Sequence, residues 1–539
     1  MEREEWTRRT SKVTMDATDR TRYDRQLRVW GVEGQRRLAH AHVCLLGCGP
    51  CGTEALKNLV LGGVGAFTVV DGRRVRDEDL GNNFLLTAEQ KDRPRARAVS
   101  EALQEMNGSV AGSYVEEEPT TLLARNPSFL GSFGLVLAAQ MSADDAAKID
   151  RICRKHGNKL VDVRACGLVA TVRIGGEEHP VVEARPDNVP DDLRLLAPWP
   201  ELDAYVDKFE LEALDDATFR HVPYVVLLRK ALRRWREEQG DVERPTTSED
   251  RAQVRRILES MARQGDEDNF KEAYASIHKA CAAPQTPGEV RAVLKDDAVH
   301  VHEGSSDFWF LIGGLKRFVE RGDGQLPLDG SIPDMTSTTD AYLELQRLYR
   351  ERASREADAV GTYVSELLQE VGRDPNSVSK ETVKHFCKNA RNVQVVRWLP
   401  LQEDADLRPS PTLKRYLSGG EPDHHVCLYL LLRASDRFQA THGRLPGVYT
   451  SEWEEDVGRL KALACTLASS LGISERQAVV DDLALEVCRF GASELHALAA
   501  IAGGIASQEA IKLLTHQFVP LSGTLVFDGM RSTTAVLPL

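Results

Sequence analysis

The chain has 539 residues, 42% of them hydrophobic, enough for two to four domains with full cores, and its 82 acidic against 69 basic residues leave a net charge of −13, which argues against a nucleic-acid-binding surface as its main activity. Ten scattered cysteines without disulfide-like spacing suit a reducing compartment. The charged Met1–Arg20 does not read as a secretory signal and no run approaches the ~20 apolar residues of a membrane span, so a soluble protein of the cytoplasm or nucleus is expected, acting without nucleic acid or membrane.

From about Tyr23 to Asp162, strand and helix patterns alternate as in a doubly wound α/β domain. His42–Gly52 reads HVCLLGCGPCG: a buried strand around Val43–Leu46, then Gly47, Gly49 and Gly52 at the spacing of a phosphate-binding turn. The helix predicted over Thr53–Leu61 points unpaired N–H groups and the positive end of its dipole at an anion. The next strand, Ala66–Val70, ends in Asp71, placed as a carboxylate that accepts hydrogen bonds from a ribose. Cys48-Gly49-Pro50-Cys51 also spells a redox Cys-x-x-C, a competing reading weakened by the outer glycines. No second Cys-x-x-C occurs, so no zinc site is expected.

Further strands are predicted at Gly134–Ala138 and Lys159–Val163, with a helix at Ala143–His156 between them. Leu168–Ile174 and His179–Ala184 read as a hairpin turning at Gly175-Gly176. From about Glu201 to Ala484 amphipathic helical patterns dominate, with breaks at Gly240–Pro245, Ala283–Gly288, Gly322–Pro333 and Leu407–Glu421. A last helix over Ser493–His516 carries the small-residue run Ala499–Gly504, and strands at Thr524–Phe527 and Thr534–Leu537 follow. Those strands must return to the first sheet to bury their apolar face. The expected organisation is a flexible tail over residues 1–20, a Rossmann-like α/β domain in two parts, 21–185 and 486–539, and a mostly helical insert over 186–485.

Four segments together, Tyr23-Asp24-Arg25-Gln26-Leu27-Arg28, Gly47–Gly52, Val69-Val70-Asp71-Gly72 and Gly503-Gly504-Ile505-Ala506-Ser507-Gln508-Glu509, make the chain resemble the adenylation domains of ubiquitin-like-protein activating enzymes. Leu80–Phe84, Ser128-Phe129, His179–Glu183, Ile332–Met335, Glu455–Gly458 and Cys488–Ala492 narrow the resemblance to the regulatory subunits of the neddylation branch. Inactive subunits of the sumoylation branch are the nearest alternative, but lack so long an insert.

The resemblance implies a chemistry whose parts are missing here. Active members carry an Asn-Arg-Gln-Phe segment whose Arg meets the ATP phosphates, a following Lys, and an Asp just after the strand that is Leu135–Leu137 here. This chain has Asn82 at the Arg position, Arg93 at the Lys position and Met141 at the Asp position. A neutral amide does not neutralise phosphate charge, and a thioether is a poor ligand for Mg²⁺. None of the ten cysteines sits in the family's thioester context. The implied reading is a chain that binds no cofactor alone, with Gly47, Gly49, Gly52 and Asp71 vestigial. It would pair with a catalytic subunit holding ATP and Mg²⁺, and serve a ubiquitin-like modifier and, through the complex, a conjugating enzyme. The resemblance also implies that Arg25 reaches in trans to the partner's ATP phosphates, and that Ile332, Pro333, Asp334 and Met335 lie at the subunit interface. A self-sufficient nucleotide-binding enzyme using the Gly47–Gly52 loop is the competing function.

Overall fold

The computed structural model describes residues 17–186, 191–240, 244–281, 285–401, 423–449, 451–470 and 481–538. Most of the expected tail and all of the break at Leu407–Glu421 fall outside them, as do parts of the breaks near 241 and 283. Met1–Val181 with Val395–Leu539 forms one compact unit and Val182–Gln394 a second.

Ten strands are present among the described residues: β1 (His42–Leu46), β2 (Ala66–Val70), β3 (Ala111–Val115), β4 (Leu135–Ala139), β5 (Lys159–Cys166), β6 (Val169–Gly175), β7 (Glu178–Val181), β8 (Gln394–Arg397), β9 (Thr524–Asp528) and β10 (Thr533–Leu537). Eight of them form the sheet of the first unit in the order β10-β9-β6-β5-β4-β1-β2-β3. β1 to β5 run parallel, and β6, β9 and β10 add an antiparallel edge. β2 and β4 are buried along their whole length, as expected of parallel strands covered on both faces. β1 lies between β2 and β4, so the chain reverses its winding direction beside it; the glycine loop leaves β1 at that switch point, where open α/β sheets bind their ligands.

The helices of this unit used below are α1 (Asp24–His40), α2 (Pro50–Gly62), α3 (Arg95–Met106), α4 (Ala143–His156), α5 (His424–His442), α6 (Trp453–Ser470), α7 (Asp481–Phe490) and α8 (His496–Thr515). α8 packs against α2. Contrary to the composition-based expectation, α8 is long and apolar enough to cross a membrane, but 56% of its most apolar window is buried in the unit, the pattern of a core helix.

Two other expectations are corrected. The segment around β7 does not form a hairpin with β6; β6 pairs with β5 and β9, and β7 pairs with β8 in a separate two-stranded sheet. The helical unit ends at Gln394 rather than at 485, because α5, α6 and α7 bury Val426, Leu430, Leu460 and Val487 in one cluster with Val169 and Val526 of the sheet. Amphipathic periodicity announces a buried face but not which core receives it.

The second unit is built from helices including Tyr224–Gln239, Ser248–Met261, Asp268–Ala280 and Thr339–Glu370. Trp235, Phe270 and Tyr349 fill its core, and the two polar tips among them are paired: Trp235 Nε1 donates to Gln253 at 3.0 Å, and the Tyr349 hydroxyl to the Leu193 carbonyl at 2.6 Å.

Candidate functional site

The glycine loop has the backbone of a phosphate site. Gly47 adopts φ +82° and a Cβ there would lie 2.7 Å from the Ala139 carbonyl oxygen, so only glycine turns the chain out of β1. At Gly52 a Cβ would stand 2.5 Å from the Gly47 oxygen, which keeps the first turn of α2 tight against the loop. Pro50 opens α2 with no N–H to lose. One donor at this helix start, the Cys51 N–H, points to a carboxylate of the same chain: it donates to Glu494 Oε2 at 3.2 Å. Glu494 Oε1 lies 2.8 Å from where a Gly49 Cβ would be. The segment carrying Glu494 is itself tied down, since Asn82 Nδ2 donates to the Glu494 carbonyl at 3.0 Å. Burial raises the Glu494 pKa, and the Cys51 N–H works against that rise. Glu494 thus places its own carboxyl group at the helix N-terminus, where an anion would be favoured.

Asp71 is likewise engaged. Its Oδ2 accepts from Arg95 Nη2 at 2.6 Å and Nε at 3.2 Å and from the Cys48 N–H at 2.9 Å; Oδ1 accepts from the Arg73 N–H at 2.8 Å. Arg95 Nη1 reaches Asp79 at 2.9 Å. All three side chains are less than a tenth exposed. Burial opposes ionisation of Asp71, but the Arg95 guanidinium and the two backbone N–H groups outweigh it and hold the carboxyl below its usual range. The strand-end carboxylate is a structural anion with no free acceptor aimed at a ribose.

The remaining positions fit Mg–ATP no better. Asn82 is turned toward the Glu494 backbone, Arg93 pairs with Glu101 at 2.6 Å, and the Met141 methyl packs 3.0 Å from where a Gly47 Cβ would sit. Among the described residues no group of histidines, cysteines and carboxylates is arranged to hold a metal ion. The redox reading also fails on geometry: Cys48 and Cys51 are fully buried, and burial pushes both thiols well above their ordinary pKa, away from the thiolate that exchange needs.

Arg25 stands in a different setting. Tyr23 beside it is buried, with its hydroxyl accepting from Asn107 Nδ2 at 3.0 Å and its ring lying 2.6 Å from where a Gly63 Cβ would be. This anchored tyrosine starts α1, and on the first turn Arg25 projects outward with its side chain 92% exposed. Among the described residues its one carboxylate neighbour, Asp24, is 3.9 Å away and is held more closely by Arg28 at 3.0 Å. In the segment Ile332–Met335, Met335 is buried in the core of its own unit and Ile332 packs against that core, whereas Asp334 is exposed.

Glu494 and Arg95 are the two residues of this site that sequence reading misses. Arg95 follows a proline at the start of an unremarkable amphipathic helix, and its partner Asp71 lies 24 positions earlier. Glu494 sits 443 positions from the N–H it meets; the only sequence signal is its place just before α8, beside the Cys488–Ala492 segment.

Comparison with known proteins gives three findings. The ThiF family model matches residues 23–539. The NEDD8-activating enzyme E1 regulatory subunit AXR1 of Arabidopsis thaliana is 44% identical over 524 residues, 96% of this chain and 96% of that protein. The NEDD8-activating enzyme E1 regulatory subunit of Gallus gallus is 40% identical over 530 residues, 96% of this chain and 98% of that protein.

Proposed function

The chain belongs to the ThiF family, among its NEDD8-activating enzyme E1 regulatory subunits, and from that membership we propose that it is the non-catalytic half of a heterodimer that adenylates a ubiquitin-like modifier. The catalytic partner holds ATP, Mg²⁺, the modifier's C-terminus and the cysteine that takes over the acyl group as a thioester, and the complex passes the modifier to a conjugating enzyme. The observation that carries this reading is the occupied glycine loop: Glu494 on the Cys51 N–H and Arg95 on Asp71 support a nucleotide-type fold whose phosphate and ribose positions have been taken over by the chain's own side chains.

Its direct contribution is Arg25. A guanidinium that is outward-facing, weakly paired and mounted on a buried tyrosine is placed to be offered to another molecule. Set against the partner's ATP phosphates, its planar fork of donors stabilises the charge that accumulates during adenylation, as arginines supplied in trans do elsewhere. The exposed Asp334, with Ile332 and Pro333 beside it, is the part of that segment left to face the partner.

The test is modifier-dependent ATP–pyrophosphate exchange. The isolated chain shows none and the heterodimer shows it; Arg25→Ala lowers exchange by roughly 10³-fold, the order seen for such arginines, while the two subunits still co-elute. Robust exchange by the chain alone overturns the proposal.

A further inference from the structure

A cavity of about 380 Å³ lies in the first unit between the start of α4 and the face of α5. Its walls include Ser142, Asp144 and Asp145 on one side and Arg433, Asp436 and Arg437 on the other. Arg433 is 8% exposed. One of its nitrogens, Nη1, donates to Asp436 Oδ2 at 3.1 Å, but its buried Nε has no partner. Asp436 is already shared, because its Oδ1 accepts from Arg164 Nη1 at 2.5 Å. One carboxylate thus answers two guanidiniums with low exposure. The side chain of Arg437, one helical turn beyond Arg433, has no hydrogen bond or ion pair among the described residues. Behind them lies Asp162, whose pKa burial raises against the pull of the neighbouring guanidiniums of Arg164, Arg173 and Arg433.

The opposite wall is the N-terminus of a 14-residue helix whose cap, Ser142, answers only the Asp145 N–H. The Ala146 N–H is taken by the Ser142 carbonyl at 2.8 Å, and the Ala143 and Asp144 N–H groups at the start of the turn are the ones without an intrahelical acceptor. Asp145 is paired with Lys148 at 3.0 Å, which leaves the exposed Asp144 as the single uncompensated carboxylate at the mouth. The cavity therefore presents a buried donor without an acceptor and a helix dipole of the sign that favours an anion.

We propose that this cavity binds the phosphate group of a small molecule, with Arg433 and Arg437 as the clamp and the first turn of α4 as the third wall. A guanidinium fork matches phosphate oxygens two at a time, and the volume is that of a small-ligand site. The site is separate from the glycine loop and does not depend on the role proposed for Arg25.

The full chain, titrated with inorganic phosphate and with O-phosphoserine at constant ionic strength and followed by ³¹P line broadening, binds both saturably and competitively. Tighter binding of phosphoserine marks an organic phosphate as the occupant, whereas equal or weaker binding marks the free anion. Arg437→Gln, at a half-buried surface position, weakens binding at least tenfold without changing the melting temperature, and Asp144→Asn strengthens it severalfold. No saturable binding of either probe, or binding that Arg437→Gln leaves unchanged, overturns the proposal.

Discussion

Two buried carboxylates depend on one side chain. Arg95 bridges Asp71 and Asp79 through separate nitrogens, and removing it strands both anions where water does not reach them. Arg95→Ala is expected to lower stability by about 3–5 kcal/mol, read from the urea midpoint, and Arg95→Lys to recover only part, because an ammonium does not reproduce the fork. The position of Asp71 at the end of β2 is legible in sequence, since a strand-end Asp about 20 residues after a glycine loop is a known pattern. Its occupation is not legible. Whether that carboxylate waits for a ribose or is closed by an arginine is decided by a contact between elements, and local patterns carry no record of it.

At the scale of elements, the α2–α8 contact explains the small-residue run and separates two adjacent glycines. A Cβ on Gly503 would lie 2.6 Å from Glu54 Cβ and 2.8 Å from the Ala55 nitrogen, whereas one on Gly504 meets nothing within 4 Å. Gly503→Ala must push the helices apart and is expected to cost about 1–3 kcal/mol; Gly504→Ala is expected to stabilise by about 0.5–1 kcal/mol through helix propensity. Thermal melts of the two variants check the pair, and equal effects would contradict the packing described. That the run serves packing was readable from its composition, but which glycine is needed was not. The misplaced hairpin has a similar cause. Gly175-Gly176 looks like the turn, yet β5 continues to Cys166 and the chain reverses at Gly167, with φ +56°, where a Cβ would lie 1.9 Å from the Phe490 ring. A distant aromatic ring, not the flanking strand pattern, selects that glycine.

On the scale of the whole molecule, the first unit carries a built-in sensitivity to acid. His179 and His516 stack with ring centroids 4.6 Å apart, and His516 Nδ1 is held by the Pro180 carbonyl at 2.9 Å. Burial pushes His179 down to about 2 and His516 down to about 4. Both folded values lie below 6.5, so as pH falls the unfolded chain takes up protons that the fold refuses. The stabilisation is present above pH 6.5 and is lost as pH falls below it, down to about 4 for His516 and about 2 for His179, at roughly 1.4 kcal/mol per pH unit for each ring. Melting temperatures from pH 7 to 5 are expected to fall, and His516→Asn, which tolerates the left-handed backbone there, is expected to flatten the slope. The broad plan, an α/β domain split by helices, was legible because strand and helix periods alternate so clearly; the boundary at Gln394 was not, because it depends on which core a helix joins.

The sheet's closure at β9 also sets a schedule for synthesis. β6 ends at Gly175 and its partner β9 begins at Thr524, so about 350 residues must leave the ribosome before that edge is covered, on the order of 20–70 s at ordinary elongation rates. During that interval the nascent chain presents an open apolar edge, the feature that invites mispairing with other chains. Glu494 emerges in the same late window, so the glycine loop meets its internal carboxylate only when translation is nearly complete.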